Sequence, residues 1–450
     1  MKSTAQKNVA VIGAGWAGCA AAVKLTQLGH RVRLYEAART LGGRARRVEM
    51  DGRTIDNGQH ILLGAYGETL QLMRSIGISE REHLLRLPLQ MRYPPATGGM
   101  DFIAPRLPAP WHVLLGLWRA TGLARQDKLA LARFTSAARW MGWRLDTDCS
   151  VAELLQRFDQ TPRLCRLMWQ PLCIAALNTP PERASAQVFL HVLRDSLGAR
   201  RAASDMLIPR SDLSTLLPQQ AAAYLAARGG SVHAGCAITG LRQTANGWQL
   251  LTDCANTANA VADFDAVIVA TPPERASKLL AGLDADAGIQ DLHAQLNGFT
   301  YEAITTCYLQ YHKDFKLALP FMALQDDPAT DSWGQFVFDR GQLNRQHAGL
   351  LSVVISVPGA ALASGRAVLA SQVGRQLARA FKVAALSEPL WSTVITEKRA
   401  TFCCRPALSR PDNRTALPGL LLAGDYTAGD YPATLESAVR SGLRAASLLQ

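Results

Sequence analysis

The chain has 450 residues, of which 48% are hydrophobic and 19% are charged, and its formal net charge is +12. This length is too great for one compact core, so we expect two or three domains, and the apolar content excludes a disordered chain. The basic residues are scattered without a run of five, which argues against a nucleic-acid partner and favours an anionic membrane surface or a phosphate-bearing ligand.

The N-terminus resembles a secretion signal, because two lysines precede the apolar run 9–23. That run carries Gly13, Gly15 and Gly18 in a fixed spacing, and a second apolar stretch follows it, so we expect a folded nucleotide-binding segment instead. No stretch reaches the length of about 20 apolar residues that a membrane span needs. The nine cysteines show no CxxC or metal-ligand spacing, so we expect reduced thiols, a cytoplasmic protein and no metal site.

Residues 8–37 form the first strong motif, which predicts a strand, a tight turn, a helix and a second strand. Gly13 permits the sharp turn, Gly15 lets a pyrophosphate approach the backbone, and Gly18 lets the helix pack closely against the strand. The free N–H groups at the start of the helix attract phosphate. Glu36 ends the second strand, where a carboxylate accepts hydrogen bonds from ribose hydroxyls. Together these features predict a dinucleotide-binding fold, against the alternative of a glycine-rich turn without a ligand.

A second glycine-rich loop, containing Gly42, Gly43 and Arg44, follows directly. A long cofactor such as FAD requires a second loop near its pyrophosphate, whereas a plain NAD dehydrogenase has no use for one. No second GxGxxG occurs in the sequence, so no separate NAD(P) domain is expected. The sequence therefore favours FAD with Arg44 paired to phosphate, and the alternative for Arg44 is a solvated surface arginine.

The sequence DNGQH, residues 56–60, places four polar side chains within five positions beside an apolar run. Such a density of polar residues predicts a site rather than a surface. His60 is the best candidate for a proton donor, because the charge of a histidine changes near neutral pH. The alternative is that His60 has only a structural role and that Asp56, Asn57 and Gln59 only satisfy backbone groups of a buried loop.

Two aromatic and apolar stretches lie further along, at 109–123 and 139–144, and Arg106 and Arg125 flank the first of them. The first stretch has the length of a helix lying on a membrane surface, and the positive net charge favours contact with anionic lipid. The alternative is a plain core or pocket helix. Residues 164–185 are expected to line an apolar cavity.

The middle of the chain supplies further strands of the nucleotide-binding fold. Residues 230–241 predict two strands joined by a turn, and residues 263–280 predict a buried strand that ends at Thr271 and leads into a helix. In a flavin-binding fold these segments belong to the β-meander and the strand that follows it. Ile238 would then contact the adenine.

The C-terminal segment 417–449 predicts a buried strand at Leu420–Leu422, a Gly424-Asp425 pair, a loop containing proline and a helix from about Thr434. A carboxylate at Asp425 cannot face a diphosphate, because like charges repel, but it can accept hydrogen bonds from a ribityl chain. The N-terminus of the helix would stabilise negative charge on a reduced flavin. The alternative is an ordinary C-terminal helix.

The motifs VIGAGWAG, LGGRARR and LLAGDYTAGDYPATLESAVRSG resemble those of the superfamily of FAD-dependent amine oxidases and carotenoid desaturases. Within it, DNGQH and the segment 207–230 resemble the bacterial hydroxysqualene dehydroxylases of squalene and hopanoid synthesis. The resemblance implies an α/β (α+β) fold, with a Rossmann-type FAD-binding domain of the amine oxidase and phytoene desaturase type and an inserted substrate-binding domain. The FAD-binding domain would be discontinuous, at 1–61, 206–279 and 399–450, and the substrate-binding domain would comprise 62–205 and 280–398.

The resemblance also assigns roles to residues. It implies that DNGQH lies close to the isoalloxazine ring and that Tyr431 is a flavin-facing aromatic, with the alternative that Tyr431 only walls the pocket. The predicted catalytic residues are His60, Tyr431 and Asp56. The predicted cofactor-binding residues are Gly13, Gly15, Trp16, Ala17, Gly18, Glu36, Ala37, Gly42, Gly43, Arg44, Gly58, Gln59, His60, Ile238, Thr271, Gly424, Asp425, Thr434 and Leu435.

The function that the resemblance implies is reductive dehydroxylation of hydroxysqualene, a C30 isoprenoid, to squalene with FADH2. A proton donor would help the hydroxyl leave as water, and hydride from reduced FAD would replace it. The expected partners are the hydrophobic polyisoprenoid substrate, a separate electron donor and an anionic membrane surface. We therefore expect a cytoplasmic protein with peripheral membrane association.

Three alternatives stay open from the sequence. A carotenoid or phytoene desaturase would use the same parts in reverse, removing hydride from a polyene precursor. An amine oxidase would want two facing aromatic rings, and Tyr431 has only Phe402 as a possible partner. A prenyl-lipid binding protein that has lost its flavin would not need the intact glycines, Arg44 and Asp425.

Overall fold

The computed structural model describes residues 6–252, 263–283 and 287–450. The strands are β1 (Asn8–Ile12), β2 (Arg31–Glu36), β3 (Arg47–Met50), β4 (Arg53–Asp56), β5 (Leu62–Leu63), β6 (Leu84–Leu87), β7 (Gln90–Arg92), β8 (Asp101–Ile103), β9 (Met206–Pro209), β10 (Ser231–Ala234), β11 (Ile238–Thr244), β12 (Gly247–Thr252), β13 (Ala266–Val269), β14 (Tyr301–Gln310), β15 (Phe321–Ala323), β16 (Phe336–Asp339), β17 (Leu350–Ser356), β18 (Trp391–Phe402) and β19 (Leu420–Leu422). The α-helices are α1 (Trp16–Gln27), α2 (Gly67–Ser75), α3 (Glu80–His83), α4 (Trp111–Arg119), α5 (Arg125–Trp140), α6 (Val151–Arg157), α7 (Pro162–Leu164), α8 (Gln170–Leu177), α9 (Ala186–Ser196), α10 (Arg201–Ser204), α11 (Leu213–Leu216), α12 (Pro218–Ala226), α13 (Pro273–Leu280), α14 (Ala287–Asn297), α15 (Arg340–Leu343), α16 (Arg366–Phe381) and α17 (Leu435–Ser447).

A parallel sheet of five strands, in the order β10-β2-β1-β13-β19, forms the centre of the nucleotide-binding half. β1 lies in the middle, where its residues Val9, Ala10 and Val11 are fully buried, as expected for a strand that is covered on both faces. Val11 pairs with Leu34 on one side and with Ile268 on the other. The predicted order of strand, turn, helix and strand is confirmed. Because the strands are parallel, the residues that follow β1, β2, β13 and β19 gather at one edge of the sheet.

Helices α1 and α17 pack against each other and so join the first and last segments of the chain. Small residues allow this approach, since a Cβ added to Gly442 would lie 2.1 Å from the carbonyl oxygen of Ala17. Every residue of α1 from Trp16 to Val23 is buried. A larger side chain at position 442 would force the two helices apart. The C-terminal helix is therefore held directly behind the glycine-rich turn.

A second sheet, antiparallel and also of five strands, forms the centre of the inserted half in the order β15-β16-β17-β14-β18. Its middle strand β14 pairs with β17 and β18, with Cys307 opposite Val353 and Val394. Helix α16 covers one face of this sheet. The apolar stripe of α16 repeats every four residues and comprises Leu369, Val373 and Leu377.

The two halves share strands and core, so the predicted domain boundaries do not fall in exposed linkers. Strand β9, assigned to the FAD-binding domain from the sequence, pairs with β5 and β6 of the inserted segment, with Leu207 opposite Leu62 and Arg86. Strand β18 continues across the predicted boundary at 398. One cluster of buried apolar residues includes Ile12 of the parallel sheet and Phe338 of the antiparallel sheet. The division into two domains stays a prediction.

The first aromatic stretch of the inserted half forms helix α4, and the second begins in the last residues of α5 and continues as a turn. Trp111 and Trp118 on α4 are 63% and 77% exposed, and Leu114 lies on the same face. Trp140 at the end of α5 is 89% exposed, and Leu129 on α5 is also exposed. None of the helices in the described part of the chain is both long enough and apolar enough to pass through a membrane. The predicted helix at 109–123 is thus found with the bounds Trp111–Arg119; its Trp111, Leu114 and Trp118 face solvent, whereas Val113 and Leu117 are buried.

Candidate active site

Glycine is needed for different physical reasons at the three positions of the first motif. A Cβ on Gly13, whose φ is +102°, would lie 2.6 Å from the carbonyl oxygen of Ala270, and a Cβ on Gly18 would lie 1.8 Å from the carbonyl oxygen of Gly13. Packing within the chain therefore requires glycine at both positions. Gly15 differs, because a Cβ there would meet nothing in the described chain closer than Cα of Gly43 at 3.9 Å. The space at Gly15 is open to a ligand.

Glu36 is fixed at the end of β2 by two backbone N–H groups. Its Oε2 accepts a hydrogen bond from Ala14 at 2.8 Å, and its Oε1 accepts one from Ala38 at 2.9 Å. Each carboxylate oxygen retains a further lone pair, so the group can still accept a hydroxyl hydrogen. Ala37 lies next to this carboxylate, and α1 begins beside it with Trp16 and Ala17. The arrangement is the one that the sequence predicts for a ribose-binding acid.

Two buried polar atoms at the same edge have no hydrogen-bond partner within the described residues, namely Nε1 of Trp16 and Oγ1 of Thr271. Thr271 follows β13, and its Cγ2 lies 3.4 Å from the position that a Cβ on Gly13 would occupy. A buried donor without a hydrogen-bond partner lowers the stability of the fold by about 1–3 kcal/mol, so such atoms indicate a bound ligand that supplies the partner. Together with the open space at Gly15 and the fixed carboxylate of Glu36, they fit a dinucleotide cofactor.

The second glycine-rich loop lies directly against the first. The backbone N–H of Gly42 donates to the carbonyl oxygen of Ala14 at 2.9 Å. Gly43 has a φ of +62°, and a Cβ on it would lie 3.2 Å from Cα of Gly15. The contact between the two loops agrees with the second pyrophosphate-side loop that the sequence predicts.

Arg44 and Asp425 form an ion pair between opposite ends of the chain. Nη2 of Arg44 lies 2.6 Å from Oδ1 of Asp425, and Nη1 donates to the carbonyl oxygen of Ala400 at 2.9 Å. Burial alone would lower the pKa of Arg44, but the Asp425 carboxylate outweighs it and raises that pKa. The sequence predicts separate roles for the two side chains, with Arg44 on phosphate and Asp425 on a ribityl chain. The structure brings them together, and their cofactor contacts stay predictions.

Helix α17 begins where the sequence predicts. Its first residue is Leu435, and Oγ1 of Thr434 caps it by accepting a hydrogen bond from the backbone N–H of Ser437 at 3.1 Å. Gly424 follows β19, and a Cβ on it would lie 2.3 Å from the ring of Tyr426. The C-terminal motif therefore reaches the same edge of the sheet as the glycine-rich turn.

The loop DNGQH joins the two halves of the molecule through Asp56. The Asp56 carboxylate is buried, and its Oδ1 accepts a hydrogen bond from the backbone N–H of Leu213 at 2.8 Å. Its Oδ2 lies 3.5 Å from Nη2 of Arg340, which is also buried. Burial raises the pKa of Asp56 to about 6 against the opposing effect of Arg340. The hydroxyl of Tyr308 in β14 donates to the carbonyl oxygen of Asp56 at 2.8 Å.

The two amide side chains of the loop differ in what they hold. Asn57 satisfies the backbone, because its Oδ1 accepts a hydrogen bond from the N–H of Arg46 at 3.1 Å. Oε1 of Gln59 instead accepts hydrogen bonds from Arg340 at 2.8 Å and from Ser352 at 3.3 Å. The alternative of a loop that only satisfies its own backbone thus describes Asn57 but not Gln59. Gly58 is held between them, and its place beside the cofactor stays a prediction.

His60 is held by its own loop in one tautomer. Its Nδ1 lies 2.9 Å from the carbonyl oxygen of Gly58, so Nδ1 carries the hydrogen and Nε2 bears the lone pair of the neutral ring. Burial lowers the pKa of His60, the Gly58 carbonyl opposes this, and the nearby charge of Arg44 lowers the pKa further. The neutral ring therefore predominates at neutral pH. His60 meets a ligand as an acceptor at Nε2 and becomes a proton donor there only after taking up a second proton.

Tyr431 has a carboxylate partner that the sequence analysis did not identify. Its hydroxyl donates to Asp195 of α9, and the Arg440 guanidinium lies 4.8 Å from the centre of its ring. Burial and the hydrogen bond to Asp195 raise the pKa of Tyr431 to about 12. No ring contact between Tyr431 and Phe402 occurs in the part of the chain that the structure describes. Phe402 packs instead against Phe299, with ring centres 5.6 Å apart.

Ile238 is the first residue of β11 and pairs with Thr252. Its side chain is half-buried. The two strands predicted at 230–241 are found as β10 and β11, but β10 pairs with β2 in the parallel sheet, and only β11 pairs with β12 in a separate antiparallel hairpin. Contact of Ile238 with an adenine stays a prediction.

Two arginines that hold the site were missed from the sequence. Arg340 carries the DNGQH loop as described above. Arg410 is half-buried and donates to the carbonyl oxygens of Asp425 at 2.7 Å, Tyr426 at 3.3 Å, Gly429 at 3.0 Å and Tyr431 at 2.7 Å. A lone arginine in a polar stretch gives no local signal of such a role, because its partners are backbone groups that only the folded chain brings together.

Comparison with known proteins identifies the family. The profile of the family described as flavin containing amine oxidoreductase matches residues 16–450. The chain belongs to this flavin-containing amine oxidoreductase family. It is an FAD-dependent oxidoreductase, as the sequence analysis predicts, and FAD is the cofactor that the cradle at Gly15 and Glu36 fits.

Two relatives and one solved structure show what this family member is similar to. The chain is 31% identical to a hydroxysqualene dehydroxylase from Rhodopseudomonas palustris, over 98% of both chains. It is 24% identical to a probable zeta-carotene desaturase from Synechococcus elongatus, also over 98% of both chains. The fold matches that of an oxidoreductase from Methanosarcina mazei with a TM-score of 0.75 and 16% identity, over 97% of this chain and 99% of the other. The predicted Rossmann-type, amine oxidase-like fold is thus confirmed.

The open space at Gly15 gives a matched pair of variants. We expect Gly15→Ala to fold with wild-type thermal stability but to bind FAD at least tenfold more weakly, because the methyl group fills space that only the cofactor uses. Gly18→Ala should instead lower the melting temperature of the apoprotein, because its Cβ meets the carbonyl oxygen of Gly13. FAD titration and thermal unfolding of both apoproteins check this. Equal loss of stability in both variants would contradict the assignment of Gly15 to the cofactor.

The pair of Asp56 and Arg340 generates a prediction about pH. We expect Arg340→Met to cost about 3–5 kcal/mol of folding free energy at pH 8, because Asp56 is then ionised and buried without a partner. The pKa of Asp56, already raised to about 6, rises further in the variant, so the stability difference from wild type shrinks as the pH falls towards 5. Chemical denaturation at both pH values measures the difference. In an Asp56→Asn background the effect of Arg340→Met should not depend on pH, and a persisting pH dependence of that effect would show that another group causes it.

Proposed function

We propose that this protein is a hydroxysqualene dehydroxylase, which replaces the allylic hydroxyl of hydroxysqualene by hydrogen and releases squalene and water, in squalene and hopanoid synthesis. The observation that carries the proposal is the 31% identity, over 98% of both chains, to a protein with that name. The relative named for carotene desaturation is less similar, at 24% identity. The absence of a Tyr431–Phe402 ring contact in the described chain gives no support to amine oxidation.

The overall reaction sets what this chain has to provide. When bound, reduced FAD supplies a hydride for the allylic carbon that loses its hydroxyl. The hydroxyl leaves as water, so the balance requires one proton for each hydride. The chain must therefore place a proton donor beside the hydroxyl and keep bulk water away from the site.

His60 is the proposed donor of this proton. Its Nδ1–H donates to the Gly58 carbonyl, so Nε2 is the atom that hydrogen-bonds the substrate hydroxyl. Arg44 and burial make the imidazolium a stronger acid than a free histidine, because both lower the pKa of His60. The Arg340–Gln59 contact holds the loop from the substrate side and so fixes the position of His60. Asp56 acts in this proposal as a positioning residue, since its carboxylate is buried between Leu213 and Arg340.

We also propose that the protein binds the surface of an anionic membrane through α4 and α5. The supporting observations are exposed Trp111 and Trp118 on one face of α4 and exposed Trp140 at the end of α5, since exposed large apolar groups mark a lipid or partner contact. Exposed arginines flank this surface at 106, 119 and 125 and would meet anionic headgroups. A polyisoprenoid substrate dissolves in the bilayer, so docking there brings the site to its substrate.

The dehydroxylase proposal is tested by a single turnover without oxygen. We expect holoenzyme reduced chemically under anaerobic conditions to convert hydroxysqualene to squalene, with about one squalene formed per FAD oxidised. Squalene is measured by gas chromatography with mass detection, and flavin oxidation by absorbance. Oxidised holoenzyme is the control and should form none. Desaturation of a polyene by the oxidised enzyme, with no squalene from the reduced enzyme, would overturn the proposal.

The pH dependence of the single-turnover rate shows whether His60 or Tyr431 donates the proton. If His60 donates the proton, the single-turnover rate should fall about tenfold per pH unit above its lowered pKa, because the imidazolium fraction falls in that proportion. His60→Gln should reduce the rate about 100-fold or more and remove this slope, whereas Tyr431→Phe should keep the slope. A pH-independent rate in wild type, together with a large loss in Tyr431→Phe, would transfer the role to Tyr431.

The membrane proposal has a matched control within the chain. We expect Trp111→Ser with Trp118→Ser to weaken binding to vesicles of phosphatidylcholine and phosphatidylglycerol at least tenfold, because two exposed indoles leave the bilayer interface. Leu390→Ser, at another exposed apolar position, should leave binding unchanged. Sedimentation with vesicles measures the bound fraction. Equal binding by all three proteins would show that α4 does not contact lipid.

A further inference from the structure

A small polar cavity lies between α17 and the loop that precedes this helix. Its volume is about 270 Å³, just below the range of about 300–1,000 Å³ that is typical of small-molecule sites. The cavity therefore has the size for a small polar group rather than for a dinucleotide or a C30 chain. Gly429 and Asp430 line it and are exposed, so a ligand can enter from solvent. The residues that form the cofactor cradle, Gly15 and Glu36, are not among those that line this cavity.

Three arginines line the cavity, namely Arg410, Arg440 and Arg444. Arg440 and Arg444 lie four residues apart, on the same face of α17. Arg440 uses only Nε, which donates to Glu436 at 2.7 Å, and Arg444 uses only Nη2, which donates to Asp412 at 2.9 Å. The other N–H groups of both side chains have no acceptor within the described residues. They are available to an anionic ligand.

Arg410 has no carboxylate within 4 Å in the part of the chain that the structure describes. Its guanidinium donates to backbone carbonyl oxygens of the segment 425–431. Burial lowers the pKa of Arg410, with Cys404, Asp425 and Asp430 opposing. An anion in the cavity would favour the charged form of this side chain.

The loop at the cavity adds backbone donors. The N–H groups of Gly429 and Asp430 donate to no acceptor among the residues described, and a Cβ on Gly429 would meet nothing within 4 Å. The hydroxyl groups of the wall are engaged, by contrast. Oγ of Ser441 accepts a hydrogen bond from the backbone N–H of Gly424 at 2.9 Å and lies 2.7 Å from Oγ1 of Thr427. The groups left for a ligand are therefore mainly donors.

Asp430 carries the only carboxylate among the lining residues. Its Oδ2 lies 4.0 Å from Nη2 of Arg194, and its Oδ1 lies 4.0 Å from Nδ1 of His191, so both oxygens lie near basic groups of α9. The lining thus combines three arginines with one carboxylate that is 62% exposed. A phosphate group fits this lining, because it is negatively charged and its oxygens accept hydrogen bonds from several directions.

We propose that this cavity binds a phosphate group, which Arg440, Arg444 and the backbone N–H groups of Gly429 and Asp430 hold. Arg410 connects the cavity to the segment that carries Asp425, so a bound phosphate also stabilises that segment. The inference depends neither on the proposed reaction nor on contact of α4 with lipid.

Two sources offer such a group, a small soluble phosphate compound and a phospholipid headgroup. The headgroup is included because α9, whose Asp195 binds the cavity residue Tyr431, also holds the segment after α5. Gln187 of α9 donates to the carbonyl oxygen of Trp143 at 3.0 Å, and Trp143 comes three residues after the exposed Trp140. The shared chemistry is the phosphate group, and the test separates the two sources.

The test measures phosphate binding to the holoenzyme by isothermal titration calorimetry at constant ionic strength. The holoenzyme is used because its pyrophosphate-binding loops are already filled by FAD. Inorganic phosphate and glycerol 3-phosphate are the probes, and we expect saturable binding of one phosphate group per chain. Arg444→Gln should weaken binding about tenfold, because one charge-assisted donor is lost. Arg375→Gln, at an exposed arginine of α16, is the control and should bind as wild type does.

A variant with the opposite effect makes the test sharper. Asp430→Asn should strengthen phosphate binding about threefold, because it removes an exposed negative charge beside the ligand. Arg440→Lys, which keeps the charge, should lose less affinity than Arg440→Gln. Glu436 retains three other hydrogen-bond donors from Glu68 and Thr69 in both variants, so the fold is kept. Phosphate should also raise the melting temperature of wild type more than that of Arg444→Gln.

Vesicles of phosphatidylcholine with and without phosphatidic acid distinguish the sources. If the ligand is a headgroup, Arg444→Gln should weaken binding to phosphatidic acid vesicles by the same factor as it weakens phosphate binding. If the ligand is soluble, wild type and Arg444→Gln should bind these vesicles equally.

The inference would be overturned if neither soluble probe bound saturably and Arg444→Gln bound vesicles as wild type does. Unchanged phosphate affinity in both Arg444→Gln and Asp430→Asn would also overturn it, because the phosphate would then bind elsewhere. None of these measurements requires squalene formation, so a failure of the proposed function is read separately.

Discussion

The ion pair between Arg44 and Asp425 connects the two ends of the chain, because it joins the loop that contains Gly42 and Gly43 to the loop after β19. The parallel sheet makes this possible, since β1 and β19 both end at the edge where the pair lies. The close contact of Gly442 with Ala17 allows helices α1 and α17 to pack tightly against each other. The open space at Gly15, the fixed carboxylate of Glu36 and the unpaired atoms of Trp16 and Thr271 all lie on this closed edge.

A second constraint connects the cofactor-binding edge of the parallel sheet to the inserted half. Arg340 follows strand β16 of the antiparallel sheet, yet it pairs with Asp56 and Gln59 of the loop that carries His60. A movement of the antiparallel sheet would therefore move the loop, so the position of His60 depends on the packing of that sheet. On the opposite side, Arg410 holds four backbone carbonyls of the loop that contains Asp425 and Tyr431. Two arginines, one from each half, thus hold the DNGQH loop and the loop that contains Asp425 and Tyr431.

The parts that the sequence predicts well are those with local physical causes. Gly13 and Gly18 are required by a turn and a close packing contact within one βα unit. Thr434 caps α17 by accepting a hydrogen bond from Ser437, three residues further along the chain. Arg340 and Arg410 could not be predicted, because their partners are far along the chain and are partly backbone atoms. The pairing of Asp195 with Tyr431 escaped for the same reason. The predicted domain boundary near 206 divides a small sheet, since alternation of apolar residues identifies strand β9 but not its partners.

The central claim is that both ends of the chain form one cradle for a single FAD, and a titration tests it most directly. Apoprotein is titrated with FAD while flavin fluorescence and visible absorbance are followed. The account predicts saturation at one FAD per chain, with a shifted flavin absorbance band and a higher melting temperature for the complex. A protein that takes up no FAD at any concentration, with fluorescence identical to that of free flavin, would contradict the account.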